Sequence, residues 1–220
     1  MSALAAFLLD ADQYDQLLSG LLVSLKVTGL VLLFGLPLGC LLAVLVASRS
    51  KPVSLGALAF VEIARGMPAL VLLSLVYFGL PQQGITLTAL AAAVLALGLN
   101  TGAYTSEIFR AALRAVPRGQ REAAASLGLT RLSAFRTIVL PQALRIALPQ
   151  LVGFSILVFQ GTALCFAIAL PELLSQAYQI GSTTFRYLTV LSIAAAMYAA
   201  IAIPVSQYAG WLERRMSARI

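Results

Sequence analysis

Apolar residues in this chain neither alternate with polar ones nor recur along a single helical stripe; they arrive in long blocks. A half-buried strand would show period two and a surface helix a one-sided stripe of period 3.6, so the blocks point to helices that are apolar nearly all round. A helix crossing the hydrocarbon core of a bilayer takes ~20 mostly apolar residues. Stretches at about 19–48, 56–80, 85–107, 149–170 and 186–211 meet that length. The pattern therefore predicts an all-α membrane protein with five transmembrane helices, forming one domain over residues 1–220. The first and last blocks are longer than one crossing requires and are expected to tilt or run into the interface. Pro37 and Pro204 fall inside them and are expected to kink them, with neighbouring helices satisfying the freed carbonyls. "GLPQQG" (Gly79–Gly84) reads as a tight turn between the second and third blocks.

Composition agrees: 60% of residues are hydrophobic and 10% charged, where soluble domains carry ~25% charged residues. Mean hydropathy is +0.95. The opening residues lack a short apolar segment followed by a small-residue cleavage site, so no removable signal peptide is expected. The net charge of +7 is explained by where the basic residues fall. Arg49 and Lys51 follow the first block, seven arginines from Arg110 to Arg145 fill the gap between the third and fourth, and Arg214, Arg215 and Arg219 follow the last. Alternating crossings put all three groups on one side, with Arg65 close to it. Lys26 and Arg186 lie toward the other side, which Asp10, Asp12 and Asp15 also occupy. Basic loops stay in the cytoplasm, so the N-terminus is expected outside and the C-terminus inside. A nucleic-acid surface is not read here, because the arginines lack interleaved aromatic residues. Cys40 and Cys165 sit in apolar runs without CxxC spacing and read as small packing residues. There is no histidine, no GxxxxGK[ST] phosphate loop and no metal-ligand cluster, so neither a catalytic nor a metal site is expected.

The long gap, residues 108–148, is the expected cytoplasmic loop. Unstructured loops of that length are uncommon in compact proteins and are most often functional. This one contains "REAAASLGLTRLSAFRTIVLP", Arg121–Pro141. "EAAASL" favours helix, Gly128 suits a C-cap and Thr130 an N-cap. Leu132, Phe135 and Val139 recur at i, i+3, i+7, and Pro141 should stop or kink the segment. Two short helices hinged at Gly128 and lying near the membrane surface are expected. By itself this could be an amphipathic connector that caps the bundle.

The spacing is more specific. Glu122-Ala123-Ala124, Gly128 and Ile138-Val139-Leu140-Pro141 reproduce EAA-x3-G-x9-I-x-LP without a gap. The chain thereby resembles the membrane (permease) subunits of ATP-binding-cassette importers. "ARGMP" (Ala64–Pro68), "GAYTSEIFR" (Gly102–Arg110), "LPQALRIALPQ" (Leu140–Gln150) and "LERR" (Leu212–Arg215) look like the polar-amino-acid branch, over about residues 19–215. "LNTGAYTSEIFR" and "TALCFAIALPELL" are most similar to subunits for histidine, lysine, arginine, ornithine and opines. The resemblance implies a helix around Glu122–Leu127 that docks on a separate ATPase, with Glu122, Ala123, Ala124, Ser126, Leu127 and Gly128 as coupling residues. It also implies a bacterial inner-membrane location, pairing with a homologous permease (a heterodimer, or a homodimer), two ATPases carrying ATP and Mg, and a soluble substrate-binding protein. No cofactor is implied on this chain itself. Many members of the branch read Lys-Asp-Thr-Ser-Leu where this chain has Gln160-Gly161-Thr162-Ala163-Leu164, and Asn where it has Gly153.

Polar residues inside spans are candidates for the translocation path. Asn100, Tyr104 and Glu107 fall at i, i+4, i+7 on one helix face, and Gln160 lies ~17 Å beyond Pro149 at 1.5 Å per residue. Thr162 belongs to the same segment. Such residues also serve as hydrogen-bonding glue between helices, and Glu62 and Arg65 are spaced to neutralise each other. The competing reading is half of an ion-gradient-driven secondary transporter. It calls for internal repeats and intramembrane carboxylates; no repeat is visible, and no acid lies at the middle of an expected span.

Overall fold

The apolar blocks form helices, and all regular structure among the described residues is helical. The structure, a computed structural model, describes residues 9–217; Arg219 and the first residues lie outside them. Helix α1 (Ala11–Val46) starts well ahead of the apolar block. There the Asp10 N–H donates to the Gln13 side chain at 3.2 Å and gives the helix a polar start. It continues unbroken through Pro37.

The second block is not one helix. It is α2 (Lys51–Gly66) and α3 (Ala69–Gln83), bent 102° from each other. Pro68 is the cause. It has no N–H to donate back into α2, and it drives the preceding Met67 into extended backbone (φ −81°, ψ 136°). The expected turn at "GLPQQG" is a final 3₁₀ turn of α3 closed by Gly84 at φ 80°.

Helix α4 (Ala89–Ala115) starts at Thr88, which accepts from the Ala91 N–H at 3.2 Å. It ends well beyond the residue 107 expected from the apolar block, because its last turns are packed. Ala112 and Val116 bury against Val139, Ala143 and Ala147 of the fourth crossing. After α5 (Arg118–Ser126), a single helical run, α6 (Arg131–Ile168), replaces the expected short helix and separate span. Thr130 caps it as expected, accepting from the Ser133 N–H. Pro141 does not stop it, because a π-helical turn at Phe135–Val139 precedes the proline and absorbs its missing donor. That turn also shifts the helical register. Of the anticipated stripe only Val139 is buried, while Leu132 and Phe135 are 58% and 40% exposed.

Helix α7 (Leu173–Thr184) was not expected, being too short and mixed for a span. Helix α8 (Tyr187–Ser217) completes the chain and runs through Pro204. Four helices, α1, α4, α6 and α8, are long and apolar enough to cross a membrane, and the bent α2–α3 pair would make a fifth crossing.

The central contact is between α1 and α4, whose glycine pairs let the backbones close. A Cβ on Gly39 would stand 2.0 Å from Thr105 Oγ1, and one on Gly98 would stand 2.3 Å from the Phe34 ring. Around this pair, Val27, Val31, Leu73, Ala92, Ala93 and Cys165 form the main core. Cys165 thus packs as expected, whereas Cys40 is exposed.

Candidate functional site

Two regions collect the candidate residues. The first is the loop between α4 and α6. Its helix α5 ends in a double-bonded turn: the Gly128 N–H donates to Ala125 O at 3.0 Å and the Leu129 N–H to Ala124 O at 3.1 Å. This geometry places Gly128 at φ 72°, a left-handed conformation that glycine adopts without a Cβ penalty. Ala124 is 1% exposed and turned inward, so it seats α5 on its own chain. Leu127 is 78% exposed; Glu122, Ala123, Ser126 and Gly128 are exposed with it. The six candidates therefore divide into one inward anchor and an outward face. Arg121 fixes the pose by donating to Leu113 O at 2.9 Å, as does Gln142, which donates to Gln120 at 3.3 Å. Ser126 Oγ closes locally on Glu122 O at 3.1 Å.

The second region is a groove of about 250 Å³ between α4, the start of α3 and α6, lined by Asn100, Tyr104, Ala69, Phe154, Leu157 and Gly161 among others. The break before Pro68 leaves the last carbonyls of α2 without helical donors. Asn100 Nδ2 donates to Ala64 O at 2.9 Å, and the Tyr104 hydroxyl to Arg65 O at 3.4 Å. These two residues thus both line the groove and terminate α2. Tyr104 stacks on Phe154 with ring centroids 5.7 Å apart, and the Arg65 guanidinium lies 5.4 Å from the Tyr104 centroid. Arg65 also reaches Glu62 at 3.9 Å, the pair expected from their spacing.

The other three candidates stand apart from this groove. Glu107, one turn beyond Tyr104, forms a salt bridge with Arg110. Gln160 is exposed on another face of α6. Thr162 is buried and donates to Phe159 O at 2.7 Å. The groove itself carries no carboxylate.

A buried acid escaped the sequence reading. Glu172 is 0% exposed at the N-terminus of α7, accepting from the Ser175 N–H at 2.7 Å and the Leu174 N–H at 3.0 Å. The Tyr198 hydroxyl of α8 donates to it at 2.8 Å and Ser24 Oγ of α1 at 3.5 Å. Four donors from three helices make it a structural clasp. Its sequence signal was weak, because Glu is not among the preferred N-cap residues and only Pro171 just before it hints at a helix start.

Comparison with known proteins gives a consistent picture. Residues 35–218 match the family described as "Binding-protein-dependent transport system inner membrane component". The arginine transport system permease protein ArtQ of Bacillus subtilis is 35% identical over 205 residues, 93% of this chain and 94% of that protein. A putative glutamine transport system permease protein, GlnP of Rickettsia conorii, is 33% identical over 91% of this chain and 92% of its own length. Among solved structures, one described as an amino acid ABC transporter with histidines superposes with a TM-score of 0.90 at 37% identity, covering 94% of this chain and 99% of that one. The MetNI methionine transporter, at 22% identity and a TM-score of 0.71, shares the fold.

Proposed function

The chain belongs to the family of binding-protein-dependent transport system inner membrane components and is the permease component of an amino acid ABC importer; from that premise we propose that it moves basic amino acids inward, driven through α5 by a separate ATPase. The carrying observation is the geometry of that loop. Ala124 anchors α5 to its own bundle while Leu127, 78% exposed, and Glu122 stand outward at its end, held by the left-handed Gly128 turn. An apolar knob on a rigid, hydrogen-bonded stalk is suited to transmit the partner's displacement rather than absorb it. In this reading ATP and Mg are bound by the ATPase, a soluble binding protein delivers substrate outside, and this chain makes no covalent chemistry. The excess of Arg around α5 supports an orientation with N-terminus out and C-terminus in, with α2–α3 as a bent fifth crossing.

The groove is the substrate-side counterpart. At about 250 Å³, it falls short of the ~300–1,000 Å³ usual for ligand pockets, which suits a site completed by a paired permease. Its lining is neutral. At Gly161, where many members of the polar-amino-acid branch carry Asp, an added Cβ would meet open space. We therefore assign the carboxylate that meets a cationic side chain to the homologous partner, which favours a heterodimer. The basic preference itself is supported by the likeness to the 35% identical arginine transport system permease and to the 37% identical amino acid transporter described with histidines.

Reconstitution tests the reading. The complete complex in vesicles should take up arginine, lysine, ornithine or histidine with ATP. Uptake restricted to acidic or large apolar amino acids would overturn the substrate class, and ATP-independent uptake would overturn the coupling.

A further inference from the structure

A second built cavity lies away from the groove. It measures about 330 Å³, sits between α6 at Arg145 and the end of α8, and is lined by Arg145, Tyr208, Trp211, Leu212, Arg215 and Met216. From these residues we infer that this permease binds the phosphate of an anionic membrane lipid in that cavity.

The chemistry is that of a phosphate site at a bilayer surface. Two guanidinium groups enter from different helices, and no carboxylate pairs with Arg145 or Arg215 among the described residues. Tyr208 and Trp211 stack with centroids 5.7 Å apart, and the Arg215 guanidinium lies 5.0 Å from the Trp211 centroid. Cation–π packing leaves the edge of a guanidinium free to donate, which suits phosphate oxygens. Tyr208, Trp211, Leu212 and Arg215 recur at i, i+3, i+4 and i+7, forming one stripe of α8 where its apolar run gives way to "LERR". Aromatic rings at such a boundary mark headgroup depth, and basic pockets between helices there suit lipid phosphates.

Position argues against the substrate as occupant. Arg145 precedes the groove residue Phe154 by nine residues, about two and a half turns at 3.6 per turn. It therefore faces the opposite side of α6 from the groove, toward the bilayer in the assembly proposed above. That assembly sets only the leaflet, here the inner one; the cavity and its charge are independent of it.

Trp211 is the sole tryptophan of the chain, so its fluorescence reports this cavity alone. The experiment places the full-length chain in phosphatidylcholine bilayers containing either acyl-brominated phosphatidylglycerol or acyl-brominated phosphatidylcholine, and measures quenching. The expected result is a preference for phosphatidylglycerol of about fivefold per arginine. The Arg145→Gln/Arg215→Gln pair should lose it, and the Arg145→Lys/Arg215→Lys pair should keep most of it. Single substitution of Arg145→Gln, on the helix without the fluorophore, should lower it by about fivefold if the double variant does not fold. Equal quenching by both lipids in the parent overturns the site, as does a preference that survives removal of both guanidinium groups. Relief of quenching by millimolar inorganic phosphate would assign the cavity to a free anion, and relief by the ATPase alone would assign it to that protein; either refutes the lipid. Quenching is read without transport, so its failure and a failure of uptake are separate results.

Discussion

Gly128→Val isolates the turn that aims α5. An added Cβ at Gly128 meets nothing within 4 Å, so the substitution introduces no clash with the rest of the chain. Its whole cost is backbone. Gly128 stands at φ 72°, a left-handed conformation that costs an L-residue ~1–2 kcal/mol, with β-branched side chains at the upper end. The competing conformations give up the bonds from Gly128 to Ala125 and from Leu129 to Ala124 and re-aim the exposed Leu127. If 2 kcal/mol is lost from the aimed pose relative to the alternatives, its ratio to them falls by roughly 30-fold, and the apparent affinity for the ATPase falls with the fraction left in the aimed pose. The buried Ala124 and the helices behind it are untouched, so membrane abundance should stay near parent level. Gly128→Asn is the informative companion, since Asn tolerates the left-handed region and should retain most of the coupling. Abundance, ATPase co-purification and ATP-driven uptake should be measured together for both variants. If Gly128→Val assembles and transports like the parent, or if the Asn variant fails as badly as the Val variant, the turn does not aim the coupling element.

Further perturbations probe the other links. Leu127→Asp should leave abundance intact and weaken ATPase retention, whereas Ala124→Trp should overpack α5 by ~1–3 kcal/mol and lower abundance itself; the reverse pattern in pull-downs and membrane blots would exchange their roles. Gly39→Ala places a Cβ 2.0 Å from Thr105 Oγ1, while Gly29→Ala meets nothing, so thermal unfolding in detergent should drop for the first and not for the second. Glu172→Gln turns an amide NH₂ toward converging donors and should destabilise by ~1–3 kcal/mol in the same assay; an unchanged midpoint would rule out the clasp. A cysteine at Gln83 should take an extracellular thiol label in intact cells and one at Arg131 should not, the opposite result inverting the orientation.

Much of this protein is legible from residue order because a bilayer imposes its own rule: backbone groups in hydrocarbon must pair within the segment, so a long apolar block can only be a helix. That local constraint made α1, α4 and α8 readable, along with the left-handed turn at Gly128 and the cap at Thr130, since each depends on a few adjacent residues. The rest depended on contacts distant in sequence. Pro68 breaks its block while Pro37 and Pro204 do not, because Asn100 and Tyr104 of α4 stand ready to take the carbonyls that the break frees. Pro141 does not end α6, because the packing of Val139, Ala143 and Ala147 against α4 holds the helix together through a π turn. Helix α7 and its clasp at Glu172 exist because α1 and α8 bring Ser24 and Tyr198 to meet that carboxylate. Periodicity likewise put Asn100, Tyr104 and Glu107 on one face, yet only the packed neighbours separate the two that line a groove from the one paired with Arg110. Side-chain order along the chain fixes which groups are available; which of them are consumed by neighbours is decided when the helices pack.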